Sequence, residues 1–110
     1  NKLVEKRVLN NTTPYEYKSI LQNLKEIKNN RIISIISSSI NLNDKEKSDI
    51  GNIATTFSDI TIFICDYKYN NLLELISNTK YKDYYICINN DDALMLAYSL
   101  YKNNDIVIEL

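Results

Sequence analysis

Asp66 is the residue with the clearest chemical potential, a carboxylate that follows the apolar run ITIFIC (Ile60 to Cys65) and opens the polar stretch Tyr67 to Asn71. An acid at such a boundary has two uses: it can hydrogen-bond the backbone of the turn, or it can face a ligand or partner. Ser37, Ser38 and Ser39 bring hydroxyls to the loop SSSINLN, and Thr12 and Thr13 bring two more to an earlier loop. Thr12, Thr13, Ser38 and Ser39 form a candidate phosphate-facing set, with Lys45 and Lys47 as cations that could assist an anion. Ordinary turn chemistry accounts for the serines as well, and a solvated helix face accounts for the lysines. Cys65 and Cys87 lie in apolar runs and are expected to be small buried hydrophobes of a reduced cytosolic chain.

Several chemistries are closed by composition. The 110 residues contain no histidine, which removes Ser-His-Asp and Cys-His nucleophile pairs, and two thiols alone make poor material for zinc. Gly51 is the only glycine and falls inside a predicted helix, so no glycine-rich loop can wrap a phosphate. Carboxylate and lysine chemistry stay open. Thirteen basic residues against 14 acidic ones leave a charge of -1, giving no overall field for nucleic acid or an acidic membrane. No apolar run approaches the roughly 20 residues that cross a bilayer, and NKLVEKRVLNN lacks the apolar centre of a secretion signal. A cytoplasmic location is expected. Asn, Lys, Ile and Tyr are abundant throughout, which makes any single Asn weak evidence of function.

These side chains need elements to position them. Tyr17, Ile20, Leu21, Leu24 and Ile27 share one face of a helix that starts at Pro14, with Thr13 as cap and Glu16 completing a capping box. Asn29-Asn30 stops it, and RIISIIS (Arg31 to Ser37) follows as a central strand, apolar on both faces. Ile50, Ile53, Ala54 and Phe57 line a second helix before the strand ITIFIC, and Leu72, Leu73 and Ile76 mark a short third helix before YYICI (Tyr84 to Ile88). A fourth helix, capped by Asn90, presents Ala93, Leu94, Ala97, Leu100 and Tyr101, and DIVIEL (Asp105 to Leu110) is the last strand. The opening KLVEKRVL reads as a more exposed strand at a sheet edge. Strands alternating with helices predict one α/β domain over residues 1–110: a three-layer Rossmann-like sandwich, with a mainly parallel sheet of about five strands and helices on both faces. Ligands of such sheets bind beyond the carboxyl ends of the strands, where Asp66 and the hydroxyl loops fall. A phosphoacceptor receiver domain shares this rhythm, but Leu9-Asn10-Asn11 and Leu110 stand where it needs an acidic pair and a Lys.

Nearly the whole chain resembles the C-terminal domain of Mur ligases, the ATP-dependent amide ligases that extend the peptidoglycan peptide. NTTPYEYKSILQNLKEIKNNRIISIIS is similar to the family's Asp-Tyr-Ala-His-Thr-Pro segment, helix and Gly-Arg-Leu-Ile strand. KSDIGNIATTFSDITIFICD is similar to its Arg-Pro-x-Met-Gly-x-Ile-Ala helix, Ala-Asp-Val strand and the start of an Asp-Asn-Pro-Arg loop. DDALMLAYSLYKNNDIVIEL resembles its terminal helix and Gly-Asp-Val-Val-Leu strand. The matching positions are mostly scaffold: Thr13, Pro14, Gly51, Ile53, Ala54, Asp59, Asp66, Ala93 and Asp105.

The family's functional positions are mostly replaced. Its first-loop acid and His fall on Leu9 and Thr12, its Gly-Gly-Asp turn on Ser39, Ile40 and Asn41, and the Arg of its last loop on Tyr69. The resemblance therefore implies Asp66 as a substrate-facing residue, with Lys68 as a point charge in place of the missing two-point Arg fork. It carries over no catalytic or metal-binding residue. The expectation is a diverged domain, inactive alone, whose ATP and Mg2+ belong to a full-length ligase with a central ATP-binding domain as partner. The rival expectation is a non-enzymatic α/β interaction module, with the tyrosines of YKDYY and DYKYNN as contact residues.

Overall fold

The computed structural model describes residues 4–66, 72–79 and 83–110. Lys68, Tyr69 and the other tyrosines proposed as contacts at Tyr67 and Tyr81 lie outside the described residues. The first described strand, β1, is Glu5–Val8. Helix α1 spans Pro14–Gln22, entered through the expected capping box: Thr13 Oγ1 accepts from the Glu16 N–H, and the Glu16 carboxylate accepts from the Thr13 N–H. The last turn, Asn23–Ile27, widens into a π-helix. Asn29, with φ of +55°, then turns the chain out. A π-turn inserts a residue into the helical count and rotates everything after it. Ile27, expected on the core face, is consequently 74% exposed, while Leu24 stays buried.

Strand β2 runs Arg31–Ser37 and helix α2 runs Asp44–Phe57, capped by Asn43 with Glu46 closing a second capping box. Strand β3 is Ile60–Ile64, helix α3 is Leu72–Ile76, and strand β4 is Tyr85–Cys87. Helix α4 spans Asn90–Leu100 and strand β5 spans Asp105–Glu109. Two details differ from expectation. Asn89, not Asn90, caps α4, its Oδ1 accepting from the Asp92 N–H at 2.8 Å. In α3 the buried side chain is Leu75, while Leu73 faces solvent; five residues are too few for a period to define a face.

All five strands are parallel, in the order β1-β5-β2-β3-β4. The alternation within β2 divides the core: Ile32 and Ile36 join the α1, α2 and α3 side with Tyr17, Leu21, Ile50, Phe63 and Leu75. Ile33 and Ile35 join the α4 side with Ile62, Val107, Ala93 and Ala97. Opposite faces follow from direction, because the chain steps one way across the sheet from β1 to β4 and returns to place β5. Right-handed crossovers in opposite directions put their helices on opposite sides. The small residues Ala93 and Ala97 let α4 lie close on the sheet.

Gly51 is used for close approach. A Cβ there would sit 1.7 Å from the main-chain oxygen of Leu75, so α2 and α3 touch backbone to backbone. Three polar groups of the core pair with one another: Tyr17 donates its hydroxyl to Ser34 Oγ at 2.6 Å, and Ser34 Oγ lies 2.6 Å from Ser58 Oγ. Burial pushes the Tyr17 phenol above its ordinary range, against the smaller lowering effects of Ser34 and Ser58.

Candidate functional site at the carboxyl edge

The two ends of the sheet are built differently. At the amino end, Arg31 forms a two-point pair with Asp105, Nε to Oδ1 at 2.9 Å and Nη2 to Oδ2 at 2.7 Å, and Nη2 also donates to the Leu100 carbonyl. Burial alone would raise the Asp105 carboxyl, but the Arg31 hydrogen bonds and charge, with the Lys102 N–H, hold it below the usual range. Asp59 accepts from the Ile32 N–H and pairs with Lys25, and Asn30 donates to the Asn104 carbonyl. A hollow at this end is lined by Asp59, Ile60, Asp83, Tyr84 and Tyr85. Its better-placed acid, Asp59, is already committed to the fold, so this end reads as a clamp.

At the carboxyl end the loops that leave β1 and β2 converge. Because β5 lies between β1 and β2, the loops that leave β1 and β2 flank its end. They enclose a cleft of about 170 Å3 lined by Leu9, Asn10, Asn11, Thr12, Ile40, Asn41, Leu42 and Leu110. Leu9, Ile40 and Leu110 also pack on the core, so the cleft has an apolar floor. The polar side chains of its rim, Asn10, Asn11, Thr12 and Asn41, are uncharged. Asn11 is held at φ of +53°, a left-handed conformation that Asn tolerates better than most residues.

The hydroxyls of the candidate phosphate-facing set occupy different settings. Thr12 lines the cleft, and Thr13 is spent as the α1 cap. Ser38 is fully buried, and its Oγ has no hydrogen-bond partner among the described residues. Ser39 Oγ lies 2.7 Å from Ser37 Oγ, which also accepts from the Ser39 N–H. Asp66 is half-buried just beyond β3, on the same edge.

The lysines also separate. Lys45 is exposed and pairs with Asp49, but Lys47 is only 4% exposed and donates to the Ser38 carbonyl at 3.1 Å. The solvated-face reading thus fails for Lys47, whose stem is covered while its ammonium ties α2 to the end of β2.

Cys65 and Cys87 are half-buried free thiols on neighbouring chain segments, joined through a Cys65 N–H to Cys87 carbonyl bond of 2.8 Å. They are less buried than expected, because β4 is an edge strand. Burial, and then the Asp92 charge, raise the Cys87 thiol above its ordinary value, which disfavours a thiolate nucleophile. Among the described residues, no three Cys, Asp or Glu side chains are grouped to hold a metal ion.

The residues overlooked by sequence reading are Asn10 and Asn11 after β1 and Asn41 after β2, set aside because Asn is common throughout the chain. The only local signal was the pairing of Asn-Asn with the end of a strand. Their convergence over Leu110 depends on β5 lying between β1 and β2, a long-range fact.

The described residues form a five-stranded parallel α/β domain of Rossmann-like type. No protein-family profile matches the sequence, and no curated protein matches it. Among solved structures, it is similar to a domain ascribed to a UDP-N-acetylmuramate:L-alanyl-gamma-D-glutamyl-meso-diaminopimelate ligase from Haemophilus ducreyi, with a TM-score of 0.63 and 13% identity. The similarity covers 99% of this chain and 83% of that one. At this identity it is a likeness of fold.

Proposed function

We propose that the chain is a diverged C-terminal domain of a Mur-type amide ligase, without catalytic activity alone. The observation that carries this reading is the likeness over almost the full chain to a domain ascribed to such a ligase, joined to the order of scaffold residues from Thr13 to Asp105. In that role the carboxyl edge faces a central ATP-binding domain, with Asp66 and Lys68 toward the substrate and the exposed Ser39 in the loop on the phosphate side. ATP and Mg2+ belong to the complete ligase, which sits in the cytoplasm, and the C-terminal domain closes to position the acyl-phosphate and the attacking amine.

Calorimetry tests the division of labour. The isolated chain should give no micromolar, Mg2+-dependent ATP binding, whereas a longer protein with a central ATP-binding domain should hydrolyse ATP when supplied with acid and amine. Tight ATP binding by the isolated chain would overturn the proposal.

A second reading, an interaction module on the same scaffold, is favoured by one observation. Tyr85, Ile86 and Ile88 at the β4 edge, with Met95 and Tyr98 on α4, expose large apolar side chains. No described helix is long and apolar enough to cross a membrane.

A further inference from the structure

We infer that the cleft between the β1 and β2 loops binds a small neutral molecule carrying carboxamide or N-acyl groups on an apolar body. This inference stands independently of the ligase reading.

The lining residues determine the class. Asn10, Asn11 and Asn41 each offer a carbonyl acceptor and an NH2 donor, and Thr12 adds a hydroxyl. The amide side chains of these three Asn residues make no hydrogen bond with another described residue, and only the backbone of Asn11, at its left-handed turn, has a role in the fold. Leu9, Ile40, Leu42 and Leu110 form the apolar surface beneath. A neutral amide matches a rim that both donates and accepts, and its hydrocarbon part covers the leucines. A phosphate or carboxylate would lose hydration there with no cationic side chain in the lining to replace it. The volume of about 170 Å3 suits one amino-acid-sized group.

The test is an amide-shift titration of the 15N-labelled chain by NMR with N-acetyl-leucinamide, alongside inorganic phosphate as the anionic probe. Saturable shifts are expected in the side-chain NH2 signals of Asn10, Asn11 and Asn41 and at Leu110, with an affinity on the order of millimolar for a ligand of this size. Asn11→Gly preserves the positive φ, and combining it with Asn41→Ala should weaken binding roughly fivefold or more while leaving the melting temperature unchanged. The inference is overturned if N-acetyl-leucinamide leaves these signals unmoved at 50-fold above about 1 mM, if phosphate moves them with higher affinity, or if the double variant binds as well as the parent. A double variant that fails to fold leaves the probe comparison on the parent chain to decide.

Discussion

Replacing Gly51 by Ala should destabilise the protein, although the position is in the middle of a helix. Ala favours a helix interior over Gly by about 1 kcal/mol, so a helix considered in isolation would gain. Here the new methyl would lie 1.7 Å from Leu75 O and 2.8 Å from Leu75 C, where ordinary contact begins at 3.4 Å. Both atoms are main chain, so no side-chain rotation relieves the clash, and α3 must retreat by about 1.5 Å or more.

Overpacking of this kind costs about 1–3 kcal/mol, and a retreating α3 also gives up part of the burial of Leu75, worth about 1.5–3 kcal/mol when complete. After subtracting the helical gain, the net loss should be about 2–4 kcal/mol, a large share of a domain's usual stability. Urea unfolding followed by circular dichroism at 25 °C would read it as a lower midpoint with little change in slope. Adding Leu75→Ala should not rescue Gly51→Ala, because the atom struck belongs to the backbone. A Gly51→Ala protein as stable as the parent, or rescue by Leu75→Ala, would refute the backbone-contact argument.

Ile27→Glu should change stability by no more than about 0.5 kcal/mol, because the π-turn has already delivered that side chain to solvent; a loss of several kcal/mol in the same urea assay would return it to the core. Asp105, held below its unfolded value by Arg31 and Lys102, contributes stability that is fully present above about pH 4 and is lost as pH falls through its folded pKa. Asp105→Asn should therefore lower stability at neutral pH and flatten its decline as pH falls below about 4, measured as urea midpoint against pH. Tyr17→Phe should cost about 1–2 kcal/mol, since Ser34 keeps its bond to Ser58 but loses a buried donor; differential scanning calorimetry would detect the lowered melting point.

What could be read from the sequence was what local chemistry specifies. Thr13, Pro14 and Glu16 announce the start of α1 because a capping box is written within four adjacent residues, and RIISIIS gives both faces of a central strand through alternation alone. Ile27 escaped because a π-turn shifts the period without any residue type that marks it. Leu75 escaped because α3 is too short to show a period. Lys47 resembled its neighbour Lys45 in every sequence property, and only the approach of Ser38 distinguishes them. The position of Asp66 at the carboxyl edge was legible because it follows a buried strand, whereas the asparagine cleft was not, since its walls come from residues 9–12, 40–42 and 110.

The placement of β5 also governs how the chain can assemble as it is synthesised. β1 is made first, yet its parallel partner is β5, with Glu5 aligned to Ile106. Until Asp105–Glu109 emerges, an amino-terminal ribbon has no neighbour to pair with, while β2, β3 and β4 can already form a three-stranded raft. That raft presents the flank of β2 as an open seam, and β5 closes it on one side while recruiting β1 on the other. The domain is thus zipped by β5: a purified chain truncated before Asp105 should leave β1 and the flank of β2 unpaired and bind a holdase chaperone, whereas the chain that includes Glu109 should not.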